Sequence, residues 1–292
     1  MKKFRSTFLL LLTAIIWGLA FVAQRVGAEH VGAFTFNAVR FVIGVAALVP
    51  VALIFERGAH TKAELKRTVT YGIATGVILC TASNLQQFGV VFTASAGKSA
   101  FITGLYTVLV PIAYLIFFRR RTGVNVWIGA ALAVVGLYLL CGVSGSFGRG
   151  DVWLFIGALF WAGHIIIIDH ANEAGVLPIR YSMVQFATAG VISAVFALVF
   201  EDITLQGILD AGIPILYAGV MSTGVAYTCQ VLGQRNADPA AAAIVLSTES
   251  LWAAVGGALI LSETMSVPAY VGCALMFAGI VVSQLRFGKD SE

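Results

Sequence analysis

Residues 129–136 read Gly-Ala-Ala-Leu-Ala-Val-Val-Gly, and 143 positions further on residues 272–279 read Gly-Cys-Ala-Leu-Met-Phe-Ala-Gly. Gly129, Ala131, Leu132 and Gly136 thus recur as Gly272, Ala274, Leu275 and Gly279. Nearly the same displacement relates Trp17 to Trp161, Gly76 to Gly219 and Gln87 to Gln230. Small residues spaced this way share one helix face, which lets two helices approach closely in lipid. The repetition divides the chain into units of 1–145 and 146–292.

Lipid is the solvent that the composition demands. The 292 residues are 59% hydrophobic and only 11% charged, with a mean hydropathy of +0.94. A soluble domain is nearer one quarter charged. About 20 apolar residues carry a helix across the hydrocarbon core. Runs of that kind lie at about 6–27, 33–55, 68–90, 96–117, 124–142, 150–171, 180–200, 211–233, 239–261 and 267–286. The fold class is therefore an all-α polytopic membrane protein of ten transmembrane helices, and the short joining segments leave little room for a catalytic loop. Lys2, Lys3 and Arg5 ahead of an apolar run imitate a signal peptide. That run continues through Phe21 and Val22, so it reads as a retained first span.

Charge placement orients the bundle. One set of alternate segments carries Lys2, Lys3, Arg5, Arg57, Lys62, Lys66, Arg67, Arg119, Arg120, Arg121, Arg180, Arg235, Arg286 and Lys289, fourteen in all; the other carries only Arg25 and Arg149. By the positive-inside rule both termini face the cytoplasm of the inner (cytoplasmic) membrane. Five spans per unit is an odd number, so the second unit enters the bilayer with opposite polarity. Inverted repeats of this kind recur in carriers, with the binding site at the repeat interface.

Short stretches also resemble a known family. Ile16-Trp17-Gly18, Asn37-Ala-Val-Arg40-Phe41, the segment from Gln87 to Pro111, and Leu261-Ser-Glu263-Thr264 followed by Val271-Gly272 and Gly279-Ile280 look like the EamA-type branch of the drug/metabolite transporter superfamily. The similarity spans roughly residues 6–286. It implies ten helices as two five-helix repeats and, from the family's exporters of amino acids and other small metabolites, a small-molecule substrate. Arg119-Arg120-Arg121 stands where the second repeat has Ser262-Glu263-Thr264, so the two repeats differ at that end.

Ionisable groups at membrane depth are expensive, and each is a candidate site. Glu249, flanked by Ser247, Thr248, Ser250 and Trp252, would bind a substrate cation or carry a proton; otherwise it pairs with Lys98 or Arg40. Its repeat counterpart is Tyr106. Lys98 either snorkels to the interface or holds a carboxylate. Ala96-Gly97-Lys98-Ser99 lacks the earlier glycine of a phosphate loop, which is Phe92 here. Arg40, whose counterpart is Gln185, faces protein or a cavity. His164 is a helix contact, a pocket residue or a second proton carrier. Asn84, Gln86 and Gln87 mirror Tyr227 and Gln230, as interhelical hydrogen bonds or a polar lining. Trp17, Trp161 and Trp252 lie too deep for an interfacial belt and either wall a pocket or fill the core. Pro111 serves as a hinge or as a static bend, and the acidic Glu201, Asp202 and Asp210 read as a solvated outer loop.

These residues suit a secondary carrier working by alternating access, with Glu249 meeting an amine, Arg40 or Lys98 meeting a carboxylate, and tryptophans favouring an apolar side chain. An amino acid or similar amphiphile leads as substrate, with export the direction that the family resemblance implies. A proton-coupled multidrug or organic-cation carrier and a nucleobase or vitamin carrier are the alternatives within transport. A channel or an intramembrane enzyme lies outside it; no His-Glu-x-x-His or Gly-x-Ser-x-Gly is present. The expected partners are a small-molecule substrate, the lipid bilayer and protons as candidate coupling ion, with the chain a monomer or homodimer. Nucleic acid is not expected, because no basic helix or aromatic platform tracks a phosphate backbone. Neither is a catalytic residue, a cofactor or a metal. Cys80, Cys141, Cys229 and Cys273 each sit singly inside an apolar block, without ligand spacing.

Overall fold

Many polar side chains are buried in the interior beside apolar ones, and large apolar side chains cover the outside. Asn37, Gln87, His164, Gln185, Gln230 and Glu249 are buried, whereas Phe55, Leu198, Ile213 and Leu259 are largely exposed. Water would reject that distribution; hydrocarbon requires it, because a polar group there must find its partner within the protein. The computed structural model describes residues 2–93, 96–120, 122–141, 148–260 and 266–285. Arg121, Leu261, Ser262, Glu263, Thr264, Arg286 and Lys289 lie outside the described residues, as do the side chains of Lys2, Lys3, Lys98 and Cys141.

The chain is an all-α polytopic membrane protein. Its helices are α1 (Lys2–Gly27), α2 (Ala33–Phe55), α3 (Lys62–Thr93), α4 (Ala96–Gly104), α5 (Tyr106–Phe117), α6 (Val124–Cys141), α7 (Arg149–Glu173), α8 (Pro178–Phe200), α9 (Leu205–Asp210) and α10 (Gly212–Leu216). A π-helical stretch (Tyr217–Ala226) follows, then α11 (Tyr227–Gln234), α12 (Pro239–Leu246), α13 (Glu249–Ile260) and α14 (Val267–Gln284). Among the described residues, eight helical segments are long and apolar enough to cross a bilayer. Two shorter apolar helices, Val124–Leu140 and Val267–Ser283, occupy the fifth and tenth expected spans.

Three spans depart from the continuous helices that the sequence suggests. The fourth is split between α4 and α5, and the ninth between α12 and α13. The eighth passes through the π-helical stretch, where the Thr223 hydroxyl donates to the carbonyl of Ala218 at 2.8 Å, five residues back. Such stretches concentrate at functional sites.

The short helices α6 and α14 pack against each other. An ideal Cβ on Gly129 would lie 2.7 Å from the Gly279 carbonyl oxygen, and one on Gly136 2.7 Å from that of Gly272. Residue 129 faces 279 while 136 faces 272, so the two helices run antiparallel. The contact is also reciprocal, since exchanging each glycine for its sequence repeat maps one pair onto the other.

A second reciprocal contact joins α2 and α8. Glu56, just past α2, accepts hydrogen bonds from the backbone N–H groups of Ile179 and Arg180 at 2.7 and 3.0 Å, in the first turn of α8. Glu201, just past α8, accepts from the N–H groups of Phe34 and Thr35, both at 2.8 Å, and from the Thr35 hydroxyl at 2.7 Å. Each acid occupies the positive end of the other's helix, where a carboxylate is worth about 0.3–1 kcal/mol and up to about 2 kcal/mol when partly buried. Glu201 is thus a helix cap and not part of a solvated loop. Arg180 adds an ion pair to Glu56 at 3.8 Å.

Substituting Gly136 by Val drives a branched side chain into a backbone carbonyl. We expect a loss of about 1–3 kcal/mol, read as a lower thermal midpoint in detergent, while Ala131→Val on the exposed face of α6 leaves the midpoint nearly unchanged.

Candidate functional site

The breaks in the fourth and ninth spans fall at matching places, Leu105 and Ser247–Thr248. In the ninth span the cause is local. The Ser247 and Thr248 hydroxyls donate to the carbonyls of Ile244 and Val245 at 2.9 and 2.7 Å, three residues back, offering the backbone an alternative to the helical ladder. In the fourth, Gly104 precedes a tight turn in which the Leu105 N–H reaches the Ile102 carbonyl at 3.3 Å. Pro111 lies six residues beyond, buried inside a continuous α5, so it does not form the break.

Each half-helix then opens on a candidate side chain, Tyr106 in α5 and Glu249 in α13. The Tyr106 hydroxyl donates to Glu249 Oε1 at 3.1 Å. Opposite them, Gly18 of α1 admits the backbone of the ninth span; a Cβ there would lie 2.6 Å from the Glu249 carbonyl oxygen. Close approach is what Gly18 supplies.

Trp17, Trp161 and Tyr227 form an aromatic wall. Trp17 meets Tyr227 edge-on with ring centres 4.6 Å apart, Trp161 lies 6.2 Å from Trp17, and Trp161 stacks on Tyr227 at 6.3 Å. The Trp17 indole N–H donates to the Ser222 carbonyl in the π-helical stretch at 3.2 Å. With Glu249, Tyr106, Arg40, Gln230, Gln24 and Gln86 these rings line one cavity. Its volume is about 30 Å³, enough for one or two water molecules. A metabolite enters only if the surrounding helices part.

Among the described residues, three polar atoms on this lining have no hydrogen-bond partner: Arg40 Nε, Gln230 Oε1 and Trp161 Nε1. The Arg40 guanidinium is buried, with its carbon 4.8 Å from the Phe41 ring centre and 5.9 Å from that of Phe36. Among the described residues no carboxylate forms an ion pair with it. Buried donors or acceptors left without a partner cost about 1–3 kcal/mol each, so a ligand that supplied partners to these atoms would gain in this cavity.

Eight of the sequence-selected residues therefore meet around one space: Trp17, Arg40, Gln86, Tyr106, Trp161, Tyr227, Gln230 and Glu249. His164 lies behind Trp161, with its Nε2 hydrogen-bonded to Gln185 at 3.1 Å. Asn84 belongs to a separate polar cluster, donating to Cys80 and Ser193 and accepting from Asn37 at 2.8 Å. Gln87 donates to the Gln24 carbonyl at 3.2 Å, and Trp252 packs on Gly18. None of these four lines the cavity, and the side chain of Lys98 lies outside the described residues. Gln24 and Ser222 join the lining without having been singled out. Gln24 adjoins Arg25 and looks like a helix end in sequence, although its amide oxygen accepts from Gln86 at 3.3 Å inside the bundle.

The model of the EamA-like transporter family matches twice, over residues 5–142 and 148–285. A protein of Archaeoglobus fulgidus described as an uncharacterized transporter is 28% identical over 285 residues, covering 98% of this chain and 87% of its own. The threonine/homoserine exporter RhtA of Escherichia coli K12 is 28% identical over 196 residues, 62% of this chain and 61% of its own. A solved crystal structure superposes with a TM-score of 0.76 at 17% identity, covering 96% of this chain and 98% of the other. That likeness speaks for the fold alone.

Tyr106→Phe removes the one hydroxyl bonded to Glu249 among the described residues. We expect a cost of about 1–3 kcal/mol as a lower thermal midpoint, and we expect Glu249→Gln to leave the midpoint equal or higher, as a group retained for use and not for stability would.

Proposed function

The chain belongs to the EamA-like transporter family, and from that premise we propose that it is a secondary carrier exporting an amino acid or similar small amphiphile by alternating access. The observation that carries the proposal is a buried guanidinium and a buried carboxylate, Arg40 and Glu249, lining one aromatic-walled cavity without an ion pair between them. A zwitterion would meet both, its carboxylate on Arg40 by a bidentate contact and its ammonium on Glu249. Trp17, Trp161 and Tyr227 would pack on an apolar side chain. RhtA's description as a threonine/homoserine exporter is in keeping with this class.

The proposed units are 1–145 and 146–292, related as inverted repeats. The antiparallel glycine contact of α6 with α14, the exchanged caps of Glu56 and Glu201, and the matched breaks at Leu105 and Ser247–Thr248 all support a two-fold relation. Two similar halves can exchange conformations, which gives inward- and outward-open forms of similar energy. The charge asymmetry supports cytoplasmic termini in an inner membrane. Glu249 is the favoured proton carrier, because His164 is engaged with Gln185 outside the cavity lining.

One observation favours a second reading, an organic-cation carrier. Three aromatic rings around a single carboxylate also suit a quaternary ammonium through cation–π attraction. Counterflow in proteoliposomes separates the two, since the cation reading needs no Arg40. For a carried amino acid, Arg40→Gln and Glu249→Gln are each expected to lower transport about ten- to hundredfold, the worth of one charge-assisted hydrogen bond. Full activity of both variants removes the zwitterion reading. Loss with Glu249→Gln alone selects the cation.

Alternating access requires α2 and α8 to part at one end at a time, so the two caps act as opposing latches. In a cysteine-free background carrying Ser222→Cys, Glu56→Gln is expected to raise labelling by an impermeant maleimide from one side of the membrane, and Glu201→Gln from the other. Changes in the same direction would remove the latch role.

A further inference from the structure

A second cavity, far larger than the central one, opens on the lipid face between α3, α7 and α8. Its volume is about 890 Å³ and its walls are mostly apolar. Along α3 it extends from Val77 to Phe92, fifteen residues and therefore roughly 22 Å of helix. Half the bilayer is roughly 15 Å of hydrocarbon and roughly 20–22 Å with its headgroup layer, so the groove has the length of one leaflet's lipid with its headgroup included. The carrier cycle proposed above makes no use of it.

One end of the groove is marked by a charge that is out of place by three measures. Arg149 lines it, and it is one of only two basic residues on the face that the positive-inside rule depletes. It is the first residue of α7, where the helix dipole disfavours a cation. Among the described residues it forms no ion pair. The nearest acid in sequence, Asp151, accepts a hydrogen bond from the Gly148 N–H at 2.7 Å and caps the helix instead. One turn further along α7, Trp153 also lines the groove, and tryptophan is the residue that settles at headgroup level.

We propose that this groove is a phospholipid site, with an acyl chain along α3 and the headgroup phosphate on the Arg149 guanidinium. A phosphodiester joined to a long hydrocarbon satisfies both ends of the groove at once. A neutral apolar solute leaves Arg149 without a partner, and a soluble phosphate leaves the apolar walls open. Placing the lipid in the outer leaflet rests on the charge-based orientation; the site itself does not, and neither does it depend on the carrier's cargo.

The test counts phospholipid retained on the detergent-purified full chain by native mass spectrometry, with added dioleoylphosphatidylglycerol as probe and dioleoylglycerol, which lacks the phosphate, as its comparison. The unaltered chain is expected to retain one phosphatidylglycerol and to bind the diacylglycerol at least tenfold more weakly. Arg149→Gln is expected to weaken phosphatidylglycerol about tenfold and leave the diacylglycerol unchanged. Thr81→Trp, which fills the groove from α3, is expected to abolish retention. Equal retention by all three chains, or equal binding of the two lipids to the unaltered chain, overturns the proposal. Should the tryptophan variant fail to fold by circular dichroism, the Arg149 variant and the lipid pair still decide.

Discussion

Hydrocarbon offers no hydrogen bonds, and the rest of this structure follows from that constraint. Every polar group carried to membrane depth must be met by another part of the chain. The caps that Glu56 and Glu201 place on each other's helices answer it at the two ends of the α2/α8 pair. Within the bundle, Asn84 bridges Asn37 and Ser193, Gln234 donates to the Ile165 carbonyl at 3.0 Å, and Thr13 donates to the Ala226 carbonyl at 2.9 Å. Among the described residues, the polar atoms on Arg40, Gln230 and Trp161 that lack partners differ from the others in that state, such as Asn37 Oδ1 and Gln234 Oε1, by lining one cavity.

The same constraint explains why the breaks in the fourth and ninth spans sit where they do. Irregular backbone at membrane depth is tolerated where protein or a cavity surrounds it. Ser247 and Thr248 hold their own helix's carbonyls, and their break delivers Glu249 to the lining. Tyr106 arrives from the matching break and holds that carboxylate. The two matched breaks lie beside the same narrow central space. Glycine contacts at α6/α14 supply a close-packed seam away from that space.

Most of the architecture was legible in the chain itself. Hydropathy alone placed the ten apolar paths, because lipid contact selects whole helical lengths and not single residues. The Gly129/Gly136 and Gly272/Gly279 repeats announced a close helix contact before its partner was known. Candidate residues were legible in a coarser way, since any polar group inside an apolar run is a candidate. His164 and Asn84 met that criterion as fully as Glu249 did, yet they turn to Gln185 and to Asn37 and Ser193. Gln24 escaped notice because it stands beside Arg25, where a sequence shows only a helix end.

By itself the sequence determined that this protein lives in a membrane, how many apolar paths it has, which ends carry the basic charge, and that its two parts share a pattern. Those properties are sums over many residues, and each residue adds its transfer energy wherever its neighbours lie. Only the tertiary structure decided which polar groups answer one another and which are left facing a common space. That depends on the direction of single side chains across helices far apart in the chain, so no sum along the sequence contains it.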